Sequence, residues 1–147
     1  PKDVPIEIDD LGRPLVPGNP VFFSLSHSGG HIRLAVADRR VGIDIQLKDR
    51  LIEEGMTEVF ATPLEQAWVN SEERFYDLWV RKEAVLKCVG TGFRLDPRSV
   101  DVLDHAIVTV DEGAGEPRTI HVERIEAPSG AFAAVALDVT CTVHDSQ

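Results

Sequence analysis

The stretch that decides the fold is Val41–Gln46, which has the sequence Val-Gly-Ile-Asp-Ile-Gln. Side chains alternate between the two faces of a β-strand, so three branched apolar residues share one face while Gly42, Asp44 and Gln46 share the other. Aspartate is depleted in strands, and one between two isoleucines needs a partner, which a cation would provide. The segment therefore predicts a strand on which the Asp44 and Gln46 side chains lie roughly 7 Å apart, with room beside Gly42 for a large group. An edge strand with its polar face in water is the alternative, and this segment alone leaves it open.

The residues before this strand predict a hairpin. From Val21 onward, apolar side chains alternate with serines, Ser28–Gly30 supplies a turn, and Ile32–Ala37 gives a second strand. The opening segment, Pro1–Pro20, contains five prolines and repeated turn signals, so it predicts an extended, loop-rich arm.

The residues after the strand predict helices and then more strands. Thr62–Glu65 forms a capping box with proline at the first helical position, and a second helix is predicted from Glu72 to Val89, ending at Gly90–Gly92. Four further strands are expected, with a hairpin loop at Gly113–Pro117: Val100–Leu103, Ile107–Val110, Thr119–Ile125 and Phe132–Leu137. The pattern predicts an α+β fold in which an antiparallel sheet packs with helices.

Composition limits the classes of function. The 147 residues suit one globular domain, and the net charge of −10 argues against general nucleic-acid binding. There is no apolar run of the ~20 residues that a membrane span needs and no signal-peptide pattern, so we expect a cytoplasmic protein without membrane contact. Cys88 and Cys141 lack CxxC spacing and are expected to be free thiols. The chain begins at Pro1 without an initiating Met, which suggests a fragment, a processed product or an excised domain.

The predicted helix over Glu72–Val89 carries charges on an otherwise apolar side. Placed at about 100° per residue, six residues form one apolar arc: Phe75, Leu78, Trp79, Val85, Leu86 and Val89. Lys82 falls in the middle of this arc, where its ammonium needs an anion, and Glu83 and Lys87 lie on its flank. An exposed i,i+4 ion pair beside a snorkelling lysine is the alternative.

The segment Ser24–Gly30 places hydroxyls, an imidazole and glycine amides at the end of a strand, where such groups can bind phosphate oxygens. The alternative is a hairpin corner whose serines cap backbone groups. A serine hydrolase is disfavoured because the Gly-x-Ser-x-Gly motif is absent. Two acids, several cations and a polar turn suit a hard cation with a pyrophosphate, so the residues predict Mg²⁺-dependent phosphate chemistry without specifying the substrate.

The same motifs resemble the 4′-phosphopantetheinyl transferase superfamily, specifically the class that activates surfactin synthetase. Four segments carry the resemblance, in the family's order: Gly12–Pro14, Phe23–Ser28, Gly42–Ile45 and Trp79–Lys87. The similarity extends from about Gly12 to Leu137. It implies the second half of a pseudo-twofold transferase fold with a truncated first half. Residues 1–40 would be an arm and hairpin remaining from the first half-domain, and residues 41–147 would be the transferase half-domain.

The resemblance also implies a function and a set of roles. The protein would transfer the 4′-phosphopantetheine moiety of coenzyme A to a serine of an acyl or peptidyl carrier protein, with Mg²⁺ as cofactor, and release 3′,5′-ADP. Asp44 and Glu83 would hold Mg²⁺, Glu83 would also accept the proton of the carrier serine, and Lys87, with Lys82 nearby, would neutralise the leaving group. Contacts to coenzyme A phosphates are further expected from Arg13, Ser26 and His27.

Two departures from the family pattern affect these expectations. Gln46 stands where many relatives have a glutamate ligand; its amide oxygen can still coordinate the metal or hold a metal water, but it adds no charge. Most of the first half is also missing, so a missing N-terminal segment or a homo-oligomer would have to complete the site. The remaining alternatives are a coenzyme A or carrier-protein binding module without turnover, and an unrelated Mg²⁺-dependent phosphohydrolase.

Overall fold

We describe the protein from a computed structural model, which covers residues 3, 5–10, 12–18, 21–90, 94–103, 106–113 and 115–141. Within these residues the strands pair in antiparallel fashion: β1 (Glu7–Ile8), β2 (Pro14–Leu15), β3 (Phe22–Ser28), β4 (His31–Ala37), β5 (Val41–Leu47), β6 (Ile107–Val110), β7 (Arg118–Arg124) and β8 (Ala131–Asp138). The α-helices of the described chain are α1 (Met56–Phe60), α2 (Pro63–Trp68) and α3 (Glu72–Val89). The predicted α+β fold is confirmed.

The main sheet has four strands in the order β5-β8-β7-β6, and β3 and β4 form a separate hairpin beside it. In the register of β5 and β8, Asp44 lies opposite Ala134. The side chains of Ala134 and Ala136 are buried and small and lie in the core cluster with α3, which allows the helix to lie close across this part of the sheet. The core therefore lies between α3 and the sheet, and β5 occupies the edge of that sheet.

Helix α3 begins and ends where the sequence predicts. The Ser71 hydroxyl accepts a hydrogen bond from the Arg74 amide at 3.2 Å, and Glu72 and Glu73 lie in the first turn, where the helix dipole favours acids. At the other end Gly90 adopts a left-handed conformation with φ of 74°, which glycine alone takes without strain. The remainder of the predicted stop signal, residues 91 and 92, lies outside the described residues.

The predicted capping box at Thr62 is also confirmed. The Thr62 hydroxyl accepts from the Glu65 amide at 3.3 Å, and the Glu65 carboxylate accepts from the Thr62 amide at 2.7 Å. The preceding helix, α1, was not predicted, because its five residues are too few for a helical period to be visible.

The predicted strand at Val100–Leu103 is wrong. Val100 and Val102 are fully buried, as their alternation suggested, but the segment pairs with no strand of the described chain. The backbone amide and carbonyl of Val102 form hydrogen bonds with side chains instead. The Val102 amide donates to Glu65 Oε1 at 2.8 Å, and the Val102 carbonyl accepts from Arg81. Burial and alternation thus occur here without a sheet because charged side chains replace the neighbouring strand.

The N-terminal arm is more ordered than predicted. Its described residues include the two-residue pair β1–β2, closed by a hydrogen bond from the Asp9 amide to the Arg13 carbonyl at 2.9 Å. Residues 11, 19 and 20, which belong to its predicted turns, lie outside the described residues. Over the part of the chain that is described, no helix combines the length and the apolar character that crossing a bilayer requires.

The two cysteines are free, and they differ in accessibility. Burial raises the pKa of the Cys88 thiol to about 12, whereas Cys141 is exposed. Because the thiolate is the reactive form, and only roughly one buried thiol in ten thousand is ionised at pH 8, we expect a thiol reagent to modify one cysteine per folded chain. A colorimetric thiol assay should count one reactive group in buffer and two in denaturant. Two groups reacting together in buffer would show that Cys88 is not protected.

Candidate active site

The site is created by the close approach of α3 to β5. A Cβ atom placed on Gly42 would lie 2.0 Å from the Ala84 carbonyl oxygen and 2.5 Å from the Cys88 amide nitrogen. Only glycine allows two backbones to come this close. The expectation that Gly42 leaves room for a large group is therefore corrected, because the helix backbone fills that space. Two residues further along β5, Asp44 lies beside the face of α3 that carries Glu83 and Lys87.

Asp44 is buried, with 6% of its surface exposed, and it is held by two donors. The Lys87 ammonium donates to Asp44 Oδ1 at 2.6 Å, and the Ser26 hydroxyl donates to the same oxygen at 2.8 Å. Lys87 also donates to the Ile43 carbonyl at 3.2 Å. The alternative interpretation was an edge strand with its polar face in water. The strand β5 does lie at the edge of the sheet, but Asp44 on its polar face is buried.

Glu83 lies one helical turn before Lys87 on α3 and also lines the adjoining cavity. Burial raises the pKa of its carboxyl, the negative charge of Asp44 raises this pKa further, and the positive charge of Lys87 opposes both effects. The two carboxylates are thus near enough to repel each other, although Asp44 and Glu83 are distant in the sequence. A cation placed between them would remove this repulsion.

The hairpin is attached to β5 through side chains. Ser24, Ser26 and Ser28 occur at every second position of β3, and all three are buried. Their hydroxyl oxygens accept the amides of Ile43, Ile45 and Leu47 at 3.1, 3.2 and 3.0 Å. These bonds satisfy the open edge of the sheet, which a further strand would otherwise occupy. The interpretation of the serines as caps of backbone groups is the one the structure supports.

Gln46 extends the polar face of β5. Its amide nitrogen donates to the Leu47 carbonyl at 3.0 Å and to the Ser28 hydroxyl at 3.3 Å, and it lies 3.5 Å from Asp49 Oδ1. These contacts occupy the nitrogen and leave the amide oxygen as a possible metal ligand.

The donors fit a hard divalent cation of the Mg²⁺ type. Such an ion binds through one or two carboxylates and completes its shell with water and substrate phosphates. Asp44 and Glu83 supply two carboxylates whose mutual repulsion the ion would relieve. Among the described residues, no three Asp, Glu, His or Cys side chains are grouped so that they could hold a metal ion, so the acidic ligands of an ion here would be these two carboxylates alone.

A cavity of about 720 Å³ adjoins this group, between the N-terminal arm, β3 and α3. Its polar lining includes Arg13, Arg40, Glu83 and Lys87. The remaining wall is largely apolar: Pro14, Leu15, Val16, Val21, Phe22, Phe23, Leu86 and Leu95. The size matches that of typical small-molecule pockets, and the charged lining has three cations against two acids, Asp9 and Glu83, a balance that favours an anionic ligand.

Two arginines lie at the end of α3 where the cavity is most basic. Arg13 packs against Gly90 and forms an ion pair with Asp9 at 2.7 Å, and Arg40 donates to the Val89 carbonyl at 2.7 Å. Burial lowers the pKa of Arg40, and the nearby positive charges of Arg118 and Arg13 lower it further. An anion bound here would relieve that repulsion. Sequence reasoning did not assign Arg40 to the site; its position directly before the decisive strand was the available signal.

Three residues that were predicted to contact phosphates differ in their surroundings. Lys82 is not part of the site: it is 1% exposed and donates to the Glu65 carboxylate and, at 3.0 Å, to the Pro97 carbonyl. The prediction that its ammonium needs an anion is correct, but the anion is Glu65 and not a substrate phosphate. The Ser26 hydroxyl is likewise engaged by protein groups, Asp44 and the Ile45 amide, in place of the predicted phosphate. His27 lies exposed on the opposite face of β3, and its contact with coenzyme A stays a prediction.

Comparison with known proteins identifies the sequence pattern. Residues 40–136 match the family model described as the 4′-phosphopantetheinyl transferase superfamily. A 4′-phosphopantetheinyl transferase of Bacillus subtilis is 31% identical over 121 residues, which cover 76% of this chain and 53% of the relative. The 4′-phosphopantetheinyl transferase gsp of Aneurinibacillus migulanus is 28% identical, over 77% of this chain and 50% of the relative. The chain thus spans about half the length of the curated relatives it matches.

Among solved structures, the holo-[acyl-carrier-protein] synthase of Thermotoga maritima is similar over 67% of this chain and 61% of its own. The TM-score is 0.49 and the sequence identity is 20%.

Proposed function

The chain belongs to the 4′-phosphopantetheinyl transferase superfamily, and from this membership we propose that it transfers the phosphopantetheine arm of coenzyme A to a serine of a carrier protein. The observation that carries the proposal is that Asp44 on β5 and Glu83 on α3 interact electrostatically, while Lys87 donates to Asp44 and lines, together with Glu83, the adjoining cavity. Two acids and a cluster of cations suit the pyrophosphate of coenzyme A better than a neutral substrate.

In the proposed reaction, the hydroxyl oxygen of the carrier serine attacks the β-phosphorus of the coenzyme A pyrophosphate. Glu83 accepts the serine proton, directly or through a water, as the new phosphorus–oxygen bond forms. The bond to the other phosphate breaks, and 3′,5′-ADP leaves with the bonding electron pair. Burial raises the pKa of Glu83, which favours proton uptake by this carboxylate, whereas a bound cation would offset the part of the rise that comes from the charge of Asp44.

The cations of the cavity wall are proposed to bind the phosphates. Lys87 neutralises charge that develops on the departing nucleotide, and Arg13 and Arg40 bind further phosphate oxygens at the basic end of the cavity. Asp44 and Glu83, and Gln46 directly or through water, would hold Mg²⁺, which would supply Lewis-acid neutralisation of the pyrophosphate. Catalysis then depends on position and charge more than on covalent chemistry.

We keep the division of the chain into an arm and hairpin (residues 1–40) and a transferase half-domain (residues 41–147) as part of this proposal. The start of the family match at residue 40 supports it. The outer face of the hairpin exposes Leu25, Ile32, Leu34 and Val36, a surface against which a second half-domain could pack. Light scattering of the purified chain would establish whether a second copy provides it.

The test is to incubate the chain with coenzyme A, Mg²⁺ and an apo carrier protein, and to measure the intact mass of the carrier. We expect a gain of one phosphopantetheinyl group that requires Mg²⁺ and disappears in the Asp44→Asn variant. Asp38→Asn, at an exposed aspartate of the hairpin end, is the matched control and should stay active. Binding of coenzyme A without modification would favour the binding module, and nucleotide release without a carrier would favour a phosphohydrolase.

The Gln46→Glu variant is expected to keep transferase activity and to bind Mn²⁺ or Mg²⁺ several-fold more tightly. The substitution adds a negative charge to the proposed ligand set, and the charge of the ligands sets the affinity for hard cations. Repulsion by Asp49 opposes the gain, but this aspartate is exposed and its effect is screened by water. A metal titration gives the half-saturation concentration. A value equal to or higher than that of the unsubstituted chain would contradict a metal-facing Gln46.

A further inference from the structure

The three serines of β3 form a natural comparison set within one structural element. Each buried hydroxyl accepts one amide of β5, from Ile43, Ile45 or Leu47, at 3.0 to 3.2 Å. Each serine therefore contributes one equivalent hydrogen bond that attaches the hairpin to the edge of the main sheet. A purely structural role would make the three serines equivalent.

Ser26 differs from the other two because it also donates to an acid of the site. A hydroxyl has one proton, and at Ser26 this proton points to Asp44 Oδ1 at 2.8 Å while the oxygen accepts the Ile45 amide. The hydroxyl is thus fixed from both sides. Ser24 has the backbone contact alone among its described hydrogen bonds, and Ser28 contacts Gln46 instead.

The two donors to Asp44 use the same oxygen. Ser26 and Lys87 both donate to Oδ1, at 2.8 and 2.6 Å. A carboxylate can rotate about its last side-chain bond, and that rotation exchanges its two oxygens. Two donors on one oxygen, one of them a buried and backbone-anchored hydroxyl, restrict the rotation and leave Oδ2 for another ligand. Lys87 is half-buried on a long flexible stem, so the rigid contribution comes from Ser26.

We propose that Ser26 is a positioning residue that holds the Asp44 carboxylate in one orientation, so that its second oxygen is available to a divalent cation. The inference rests on the proposed function, since it takes Asp44 to be a metal ligand. In this proposal, Ser26 of the Ser-x-Ser-His-Ser run acts by orienting Asp44 and not by binding a substrate phosphate. Residues that hydrogen-bond to a metal ligand commonly affect metal affinity about 10- to 100-fold when they are mutated.

The experiment measures Mn²⁺ affinity without coenzyme A, by electron paramagnetic resonance titration of the full chain. We expect Ser26→Ala to weaken binding by roughly 10-fold or more, Ser24→Ala to change it little, and Ser26→Thr to retain most of it because the hydroxyl remains. Thermal unfolding should show a loss of stability in both Ser24→Ala and Ser26→Ala, since each loses one acceptor for a backbone amide, and a larger loss in Ser26→Ala, which also takes a donor from the buried Asp44 carboxylate. If Ser26→Ala does not fold, Ser26→Cys, which keeps the volume but donates weakly, replaces it and should also bind weakly.

The outcomes separate this inference from the proposed function. Equal Mn²⁺ affinity in Ser24→Ala and Ser26→Ala, with binding still dependent on Asp44, would overturn the positioning role and leave the transferase proposal standing. Mn²⁺ binding that is absent, or unchanged in Asp44→Asn, would overturn both. Affinity lost in Ser26→Ala and restored in Ser26→Thr supports the inference.

Discussion

Glu83→Gln is expected to lower kcat/KM for carrier modification by about 10² to 10⁴-fold, the usual contribution of a general base. The amide keeps the size of the side chain but cannot accept the serine proton, and it removes one of the two charges proposed to hold the metal. A continuous or quenched assay of holo-carrier formation, at saturating Mg²⁺, measures the loss. Glu73→Gln is the matched control, because Glu73 lies on the same helix but is exposed and pairs only with surface groups. Its activity should be unchanged.

The pH dependence of the transferase activity tests the role of Glu83 independently. A base acts when it is deprotonated, so activity is present above its pKa and is lost as the pH falls through it. Burial and the charge of Asp44 raise the pKa of Glu83, so at sub-saturating Mg²⁺ the acid limb should lie above the usual range of glutamate. Added Mg²⁺ favours the carboxylate and should move this limb to lower pH. An acid limb that persists unchanged in Glu83→Gln would show that another group is the base.

Lys82→Met is expected to destabilise the protein by about 3–5 kcal/mol, the cost of leaving a buried charge without its partner. Lys82 and Glu65 are fully buried, and the Glu65 carboxylate also accepts the amides of Thr62 and Val102. The pair therefore joins α2, α3 and the segment after the 3₁₀ turn at Pro97–Ser99. Removing the ammonium leaves the Glu65 carboxylate in the core with only the two amide donors. The substitution also leaves the Pro97 carbonyl without the hydrogen bond that Lys82 donates.

Urea unfolding of Lys82→Met, Glu65→Gln and the double variant measures this effect and its coupling. The double variant should lose clearly less stability than the sum of the single losses, because neither charge is then unpaired. Lys48→Met removes a surface lysine that pairs with Glu72 and Glu73, and it should have little effect. A loss below about 1 kcal/mol for Lys82→Met, or strict additivity, would contradict the buried pair.

Much of the local structure could be predicted because local signals determine it. The hairpin and β5 follow from a period of two, and α3 follows from Ser71 at one end and Gly90 at the other. The 100–103 segment shows the limit of this reasoning. Its valines alternate and are buried as in a strand, but its backbone partners are Glu65 and Arg81, and nothing in the local sequence distinguishes such partners from a neighbouring strand.

The site could be predicted in part. The need of Lys82 for an anion follows from its place on an apolar arc, but the identity of that anion depends on the tertiary structure. Glu65 is 17 residues away, and its local sequence indicates only a helix cap. Similarly, the spacing of the serines was visible, and both interpretations of it were available. The choice between phosphate contacts and backbone caps depended on where β3 lies relative to β5, which no local pattern specifies.

The central claim is that Asp44 and Glu83 share one divalent ion next to the pyrophosphate of coenzyme A. The most direct measurement is an anomalous difference map from a crystal of the chain grown with Mn²⁺ and coenzyme A. The account predicts a single strong peak bonded to both carboxylates, with the pyrophosphate on its open side and the nucleotide in the cavity between the arm, β3 and α3. A peak that contacts neither carboxylate, or coenzyme A bound elsewhere on the molecule, would contradict the account.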